Sequence, residues 1–268
     1  METIGNESKA KRFGKAAIDI VSFAALAVII ITIISVPFAT VLLKLGKEEA
    51  DTMSYFILSE TLMLAGVFLS AWIVWHLRGF SLEGLGRSLT MRWKDWLSGI
   101  LLATVLYAVG FGISLWAGAV EIAGVTFNPS SLLISLVFFL LVAVTEELAL
   151  RGFVLERLLQ SGVNKFCALF LSAALFSLIH IGNPNFDFLS FINILLAGIL
   201  LGSSYIYTRN LCFPIALHWF WNWIQGPVLG YEVSGNKFCN GLLAPRPPAG
   251  QLIKGIAFGL KAPYSVRY

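Results

Sequence analysis

Long apolar segments, about as long as a lipid bilayer is thick, dominate this sequence of 268 residues. A helix needs about 20 mostly apolar residues to cross the hydrocarbon core, where the backbone must satisfy its own hydrogen bonds. Only 13% of the residues are charged, against roughly 25% in ordinary soluble domains. We therefore predict an all-α fold, a polytopic transmembrane helix bundle of about seven spans. The predicted spans run near Ala16–Leu43, Thr52–Leu77, Trp96–Val120, Ser131–Leu158, Lys165–Ile181, Phe186–Tyr207 and Phe213–Tyr231.

Basic residues in the connecting loops predict the orientation of the bundle. Loops opposite the N-terminus contain only Lys44 and Lys47. Because basic residues concentrate in cytoplasmic loops, we expect an integral, multi-pass protein of the cell membrane with a cytoplasmic N-terminus. The first apolar run is too long for a signal-peptide core, so we interpret it as a retained span. Loops on the side of the N-terminus contain Arg78, Arg87, Arg92, Lys94, Arg157, Lys165 and Arg209.

Composition divides the chain into three parts. Residues 1–95 are expected to form N-terminal spans with a basic interfacial segment, residues 96–231 a core bundle that carries the polar motifs, and residues 232–268 a polar tail rich in glycine and proline. The net charge of +4 is spread in short clusters beside the spans. We therefore expect the lipid bilayer, and no nucleic acid, as a partner.

Ionisable residues inside the spans need an explanation, since a charge near the bilayer centre costs about 2.5–3.5 kcal/mol. Asp19 and His76 lie at span ends beside basic residues, and we interpret both as solvated or interfacial. Glu60 lies deeper in the second span. There we favour an interhelical hydrogen bond over a functional role.

Two adjacent carboxylates and an arginine follow the apolar run that precedes Thr145. Glu147 and Arg151 are four residues apart on one helical face, so we predict a charge-assisted pair that keeps Glu147 ionised. Glu146 points about 100° away from that pair and has no obvious partner in the sequence. A poorly solvated carboxylate is a stronger base than one in water, which makes Glu146 the candidate general base. The alternative is that these charges simply end the span at the cytoplasmic surface.

Two later spans each carry a histidine. Phe176 and His180 share a helical face, as do His218 and Asn222, because each pair is four residues apart. At about 1.5 Å per residue, Glu146 lies about 18 Å and His180 about 22 Å from the turn between their helices. His218 lies shallower, so helix tilt or a re-entrant start must bring it to the same level. Two intramembrane histidines on different helices favour a site over two structural residues.

These motifs, in this order on successive spans, resemble those of the CPBP family, also called the Abi family, of CAAX-protease-like and bacteriocin-processing intramembrane proteases. The resemblance covers roughly residues 132–231. It implies a helical bundle with a water-accessible cavity and hydrolysis of a peptide bond in a membrane-associated or lipidated peptide or protein. It also makes residues 96–231 the catalytic core. The motifs are Glu-Glu-x-x-x-Arg at Glu146, Glu147 and Arg151, Phe-x-x-x-His at Phe176 and His180, and His-x-x-x-Asn at His218 and Asn222.

The resemblance also implies roles for single residues. Glu146 would activate water with the help of His180, while His218 and Asn222 would polarise the scissile carbonyl. Glu147 and Arg151 match the second glutamate and the arginine of the family motif. No serine or cysteine nucleophile is required for this chemistry.

Metal dependence and two other functions stay open. Glu146, His180 and His218 would leave one open position on a catalytic zinc ion, but a metal-free glutamate and histidine site could also activate water. The chain lacks the His-Glu-x-x-His motif that would decide between them. The alternative functions are a bacteriocin self-immunity or scaffold protein of the same fold, and a proton-coupled transporter, since intramembrane Glu and His also form proton relays. A Gly-x-x-x-Gly pair, Gly198 and Gly202, is expected to permit close helix packing.

Overall fold

The structure is a computed structural model that describes residues 8–45, 53–79, 91–246 and 248, with the backbone alone for residues 38–45. Most of the predicted basic interfacial segment and the last twenty residues of the predicted tail lie outside these ranges. Two π-helical segments, Leu148–Leu155 and Ile224–Val228, continue the helices that precede them. Two strands, β1 (Glu121–Val125) and β2 (Leu243–Arg246), pair antiparallel. The helices are α1 (Lys9–Leu45), α2 (Met53–Arg78), α3 (Trp93–Trp116), α4 (Pro129–Glu147), α5 (Glu156–Gln160), α6 (Lys165–Leu178), α7 (Phe188–Thr208) and α8 (Cys212–Trp223).

The predicted polytopic helix bundle is confirmed, although the spans differ in length. Within the described residues, 5 helices are long and apolar enough to cross a membrane: α1, α2, α3, α7 and the continuous helix Pro129–Gln160. The other two predicted spans are shorter. Helix α6 has 14 residues, and a helix of that length rises only about 21 Å, less than the roughly 30 Å hydrocarbon core. The turn that follows α6 therefore lies within the depth of the bundle, and His180 is part of that turn.

Side-chain caps fix where the helices around the polar motifs begin. The Asn128 side chain accepts a hydrogen bond from the Ser131 backbone N–H at 3.0 Å, and Pro129 occupies the first turn of α4. Asn164 caps α6 in the same way, and Asp187 caps α7. Each cap satisfies a backbone N–H that the helix itself leaves without a partner.

Ion pairs join the helix ends on the side of the N-terminus. Asp19 of α1 accepts a hydrogen bond from Arg78 Nε at 2.6 Å and another from Arg157 Nη2. The Asp19 side chain is buried, so the solvated placement that we predicted as one of two possibilities is wrong. Two arginines from other helices make its burial possible, because a buried carboxylate needs charged partners. His76 is exposed and stacks on Trp72, as an interfacial residue would.

The opposite side of the bundle contains the two strands, which were not predicted. β1 lies between α3 and α4, and β2 belongs to the tail, with Ile122 opposite Pro245. Phe238 of the tail also packs against Phe56 near the start of α2. The described part of the tail therefore lies on the side opposite the N-terminus, as an odd number of crossings requires.

Glycines allow two helix pairs to approach closely. A Cβ at Gly198 would lie 3.0 Å from Ala173 Cα, and one at Gly202 would lie 2.6 Å from Leu169 Cδ1, so α7 packs on α6 through this pair as predicted. Gly99 plays the same part between α3 and α8, because a Cβ there would lie 2.7 Å from the Phe213 carbonyl oxygen.

We predict that Gly99→Ala destabilises the protein by about 1–3 kcal/mol, since the added methyl group would clash with the α8 backbone. Gly110→Ala on the same helix is the matched control, because a Cβ at Gly110 would have nothing within 4 Å. Denaturant unfolding in detergent measures both variants. Equal midpoints for the two would contradict this account of the α3–α8 contact.

Candidate active site

Glu146 and Glu147 are the last two residues of α4, where the chain changes from α-helical to π-helical geometry. The wider helix continues from Leu148 to Leu155 and then returns to α geometry in α5. Short π-helical stretches are rare and often lie at functional sites. The change of geometry here alters which side chains point inward immediately after the two glutamates.

Glu147 and Arg151 form the predicted ion pair. Arg151 Nη1 lies 2.7 Å from Glu147 Oε1, and both side chains are almost completely buried. Arg151 also donates through Nη2 to the Gly198 carbonyl oxygen at 3.1 Å, and its guanidinium lies 4.6 Å from the ring centroid of Phe176. The close α6–α7 packing at Gly198 thus places a backbone acceptor beside the arginine, a contact that the sequence did not reveal.

His218 lies between the two glutamates. Its Nδ1 is 3.0 Å from Glu147 Oε1, and its Nε2 is 3.7 Å from Glu146 Oε2. Because an ionised carboxylate only accepts hydrogen bonds, Nδ1 carries a proton and Nε2 faces Glu146. Glu146 therefore has a partner from α8 that helical spacing alone could not identify.

The last turn of α6 orients His180, which lies just after that helix. Its Nδ1 lies 2.7 Å from the Phe176 carbonyl oxygen, which can only accept, so Nδ1 is the protonated nitrogen and Nε2 has a free lone pair. Phe176 packs edge-on against both imidazoles, with ring centroids 4.9 Å from His180 and 6.0 Å from His218. The aromatic residue of the Phe-x-x-x-His motif thus positions the histidines of two helices.

A polar face of α8 extends beyond His218. Asn222 follows one turn later and is buried. Gln225 comes next, where it accepts from the Tyr107 hydroxyl at 2.6 Å and donates to the Glu232 carbonyl oxygen at 2.6 Å. Sequence reasoning missed Gln225 and Tyr107, although Gln225 is seven residues after His218 on the same helical face.

Glu60 of α2 also faces this group of residues. Its carboxyl group is within hydrogen-bonding reach of the Thr145 side chain and interacts electrostatically with Glu146 and His218. The predicted interhelical hydrogen bond stays a prediction, because the Thr145 hydroxyl donates its proton to the Leu141 carbonyl oxygen at 2.9 Å. Glu60 is also a third carboxylate beside the predicted site.

The two adjacent glutamates differ in their access to solvent. The Glu146 side chain is 25% exposed, whereas that of Glu147 is 0% exposed. Glu146 Oε2 and Glu147 Oε2 are both buried oxygens without a hydrogen-bond partner among the described residues. Glu146 is thus the more accessible of the two carboxylates, while Glu147 is held by Arg151 and His218.

The predicted zinc ligands are Glu146, His180 and His218. Among the described residues, no group of three or more His, Cys, Asp or Glu side chains is arranged to hold a metal ion. Glu146, His180 and His218 therefore do not fit a ready three-ligand zinc site in this arrangement.

The fold and the site together define a membrane-embedded helical protein with a polar centre of adjacent glutamates and histidines. Residues 128–224, which contain all six predicted site residues, match the family described as Type II CAAX prenyl endopeptidase Rce1-like. This match, over about a third of the chain, confirms the resemblance that the motifs indicate, and the family matched is one of membrane proteases. Searches among curated proteins and among solved structures gave no match.

We predict that Arg151→Met lowers the free energy of unfolding by about 3–5 kcal/mol, because it leaves Glu147 as a buried charge without its cation. The double variant Glu147→Gln/Arg151→Met is the control, since Gln removes that charge but keeps an oxygen for His218. Denaturant unfolding in detergent should show the double variant to be more stable than the single one. The reverse order would contradict the assigned role of the ion pair.

Proposed function

We propose that this protein is an intramembrane endopeptidase of the CAAX-prenyl-protease type, which hydrolyses a peptide bond in a membrane-associated or lipidated peptide or protein. The observation that carries the proposal is the position of His218 between Glu146 and Glu147, with His180 brought to the same Phe176 ring. All of these residues lie in the segment that matches a protease family.

Glu146 is the proposed general base. The 3.7 Å between Glu146 Oε2 and His218 Nε2 exceeds a good direct hydrogen bond, and the two atoms can share a water molecule. Glu146 would take one proton from that water while the water oxygen attacks the scissile carbonyl carbon. His180, with its Nε2 lone pair free, is the second group able to orient the water.

The tetrahedral intermediate needs hydrogen-bond donors at its oxyanion. The amide of Asn222, which lies one turn after His218 on the same face of α8, can supply one. A protonated His218 Nε2 can supply another. Such donors contribute about 3–4 kcal/mol each in comparable sites. Collapse of the intermediate breaks the C–N bond, and the proton held by Glu146 passes to the leaving amine.

Glu147 and Arg151 position His218 in this scheme. The Glu147 carboxylate holds the protonated Nδ1 of His218 and is itself fixed by Arg151. A serine nucleophile is not needed, and Ser177, the serine nearest His180 in sequence, donates its hydroxyl to the Phe191 carbonyl oxygen at 2.8 Å. Water activated by Glu146 is therefore the proposed nucleophile.

We predict that Glu146→Gln and His180→Ala each abolish cleavage while the protein remains folded, because each removes a group that activates water. Cleavage is measured by mass spectrometry on purified protein incubated with lipidated and unlipidated peptides in detergent. Glu121→Gln, an exposed carboxylate on β1, is the matched control and should keep full activity. Wild-type turnover in Glu146→Gln would remove the proposed mechanism. A wild-type protein that cleaves no peptide but binds one would favour the scaffold function, and proton-driven uptake into vesicles would favour the transporter.

We predict that hydrolysis persists after exhaustive treatment with a strong chelator, because the described side chains do not form a three-ligand metal group. Metal content of the treated sample is measured alongside turnover. Loss of activity that zinc restores would instead assign a metal to Glu146, His180 and His218.

A further inference from the structure

Two tryptophans of α8 are hydrogen-bonded to the backbone of α4, and the scheme above uses neither side chain. Trp219 Nε1 donates to the Leu136 carbonyl oxygen at 2.8 Å, and Trp223 Nε1 donates to the Leu132 carbonyl oxygen at 3.1 Å. Both tryptophans are partly buried. Two side chains of one helix thus bond to successive turns of another helix.

The two donors and their two acceptors have the same spacing. Trp219 and Trp223 are four residues apart on α8, and Leu136 and Leu132 are four residues apart on α4 in the opposite order. Each pair therefore lies on one face of its helix, about one turn apart. Antiparallel helices can form both bonds at one axial position only, because a slide by one residue, about 1.5 Å, would disturb both bonds at once.

Each of these tryptophans directly follows a residue of the candidate active site. His218 precedes Trp219, and Asn222 precedes Trp223. Since neighbours on a helix point about 100° apart, α8 presents its site residues on one face and the two indoles on the next. The axial position that the indoles set for α8 is therefore also the axial position of His218 and Asn222.

We propose that Trp219 and Trp223 are positioning residues, which set the axial position of α8 on α4 and so hold His218 at its distance from Glu146. This proposal rests on the proposed function. It gives a role in the site to tryptophans that their residue type alone would assign to the aromatic belt of a membrane protein.

Both helices are continuous over the residues that matter, so they transmit this position to the site. α4 is one α-helix over Pro129–Glu147, which contains both acceptor carbonyls and both glutamates. α8 is one α-helix over Cys212–Trp223. A slide of one helix along the other would change the 3.7 Å between His218 Nε2 and Glu146 Oε2. That gap suits a shared water molecule, and a misplacement of about 1 Å in such geometry can lower a rate by about 100-fold.

The hydrogen bond between His218 and Glu147 cannot hold α8 in place alone throughout turnover. A protonated His218 Nε2 is one of the proposed oxyanion donors, so His218 carries a second proton for part of the cycle. The strength of its 3.0 Å contact with Glu147 changes with that proton. An indole N–H only donates and a backbone carbonyl only accepts, so the tryptophan bonds stay constant through the cycle.

Replacement of the tryptophans by phenylalanine tests this role, because phenylalanine keeps an aromatic ring and lacks the indole N–H. We expect Trp219→Phe and Trp223→Phe each to lower kcat about threefold, since the remaining bond still sets the axial position. The double variant should lower kcat at least about thirtyfold, more than the product of the single effects, while KM changes less than about twofold. Single effects that simply multiply would show two independent contacts and contradict a shared axial position.

Trp96→Phe is the matched control. Trp96 packs edge-on against Trp219 with ring centroids 5.8 Å apart, but its Nε1 has no hydrogen-bond partner among the described residues. The control therefore removes the same atoms without removing an interhelical hydrogen bond, and it should keep wild-type kcat. Thermal unfolding in detergent is recorded for every variant, so that lost packing is measured separately.

The outcomes distinguish this proposal from the proposed function. If wild-type protein cleaves peptides and Glu146→Gln does not, while the double variant keeps wild-type kcat, the positioning role is overturned and the protease function stands. If Trp96→Phe lowers kcat as much as the double variant at equal loss of stability, the tryptophans act through packing, and the role is also overturned. A rise in KM with unchanged kcat would place the indoles against the substrate and overturn it as well. If Glu146→Gln cleaves as well as wild type, the proposed function itself fails.

Discussion

The buried Glu147 carboxylate is the interaction on which the rest of this site depends. It accepts hydrogen bonds from Arg151 and His218, and Arg151 in turn donates to the Gly198 carbonyl oxygen, so one charged group connects α4, α7 and α8. A low-dielectric interior makes each of these contacts strong and makes a missing partner costly. The catalytic proposal follows from this connection, since it fixes the histidine that faces Glu146.

Helix lengths and helix geometry support the same centre. α6 is too short to cross a bilayer, and its end brings His180 against Phe176, whose ring also contacts His218. The π-helical turn after Glu147 lies directly beside the ion pair. Features that would be irregularities in a simple bundle are thus concentrated where the polar groups meet.

The sequence predicted the parts of this structure that depend on local patterns. Apolar runs predicted the helices, and the i, i+4 spacing predicted the Glu147–Arg151 pair, because both follow from helical periodicity. Contacts between distant segments leave no such pattern. Three contacts join helices that are far apart in the chain. They are the contact of Asp19 with two arginines, that of His218 with two glutamates and that of Glu60 with Thr145.

The two strands were missed for a related reason. All five residues of β1 are exposed, so it lacks the alternation of buried and exposed side chains that marks a strand in a sequence. Its partner lies in the tail, more than a hundred residues later. The sequence therefore contained neither a local pattern nor a sign of long-range pairing from which β1 could be predicted.

This strand pairing has a consequence for the order of assembly. A ribosome completes β1 before it has made the last five α-helices of the bundle, and β2 only after α8. The backbone groups of β1 must therefore be satisfied by water until the last membrane helix is in place. Pairing of β1 with β2 is therefore a late event in biogenesis. It joins the segment between α3 and α4 to the segment that follows α8.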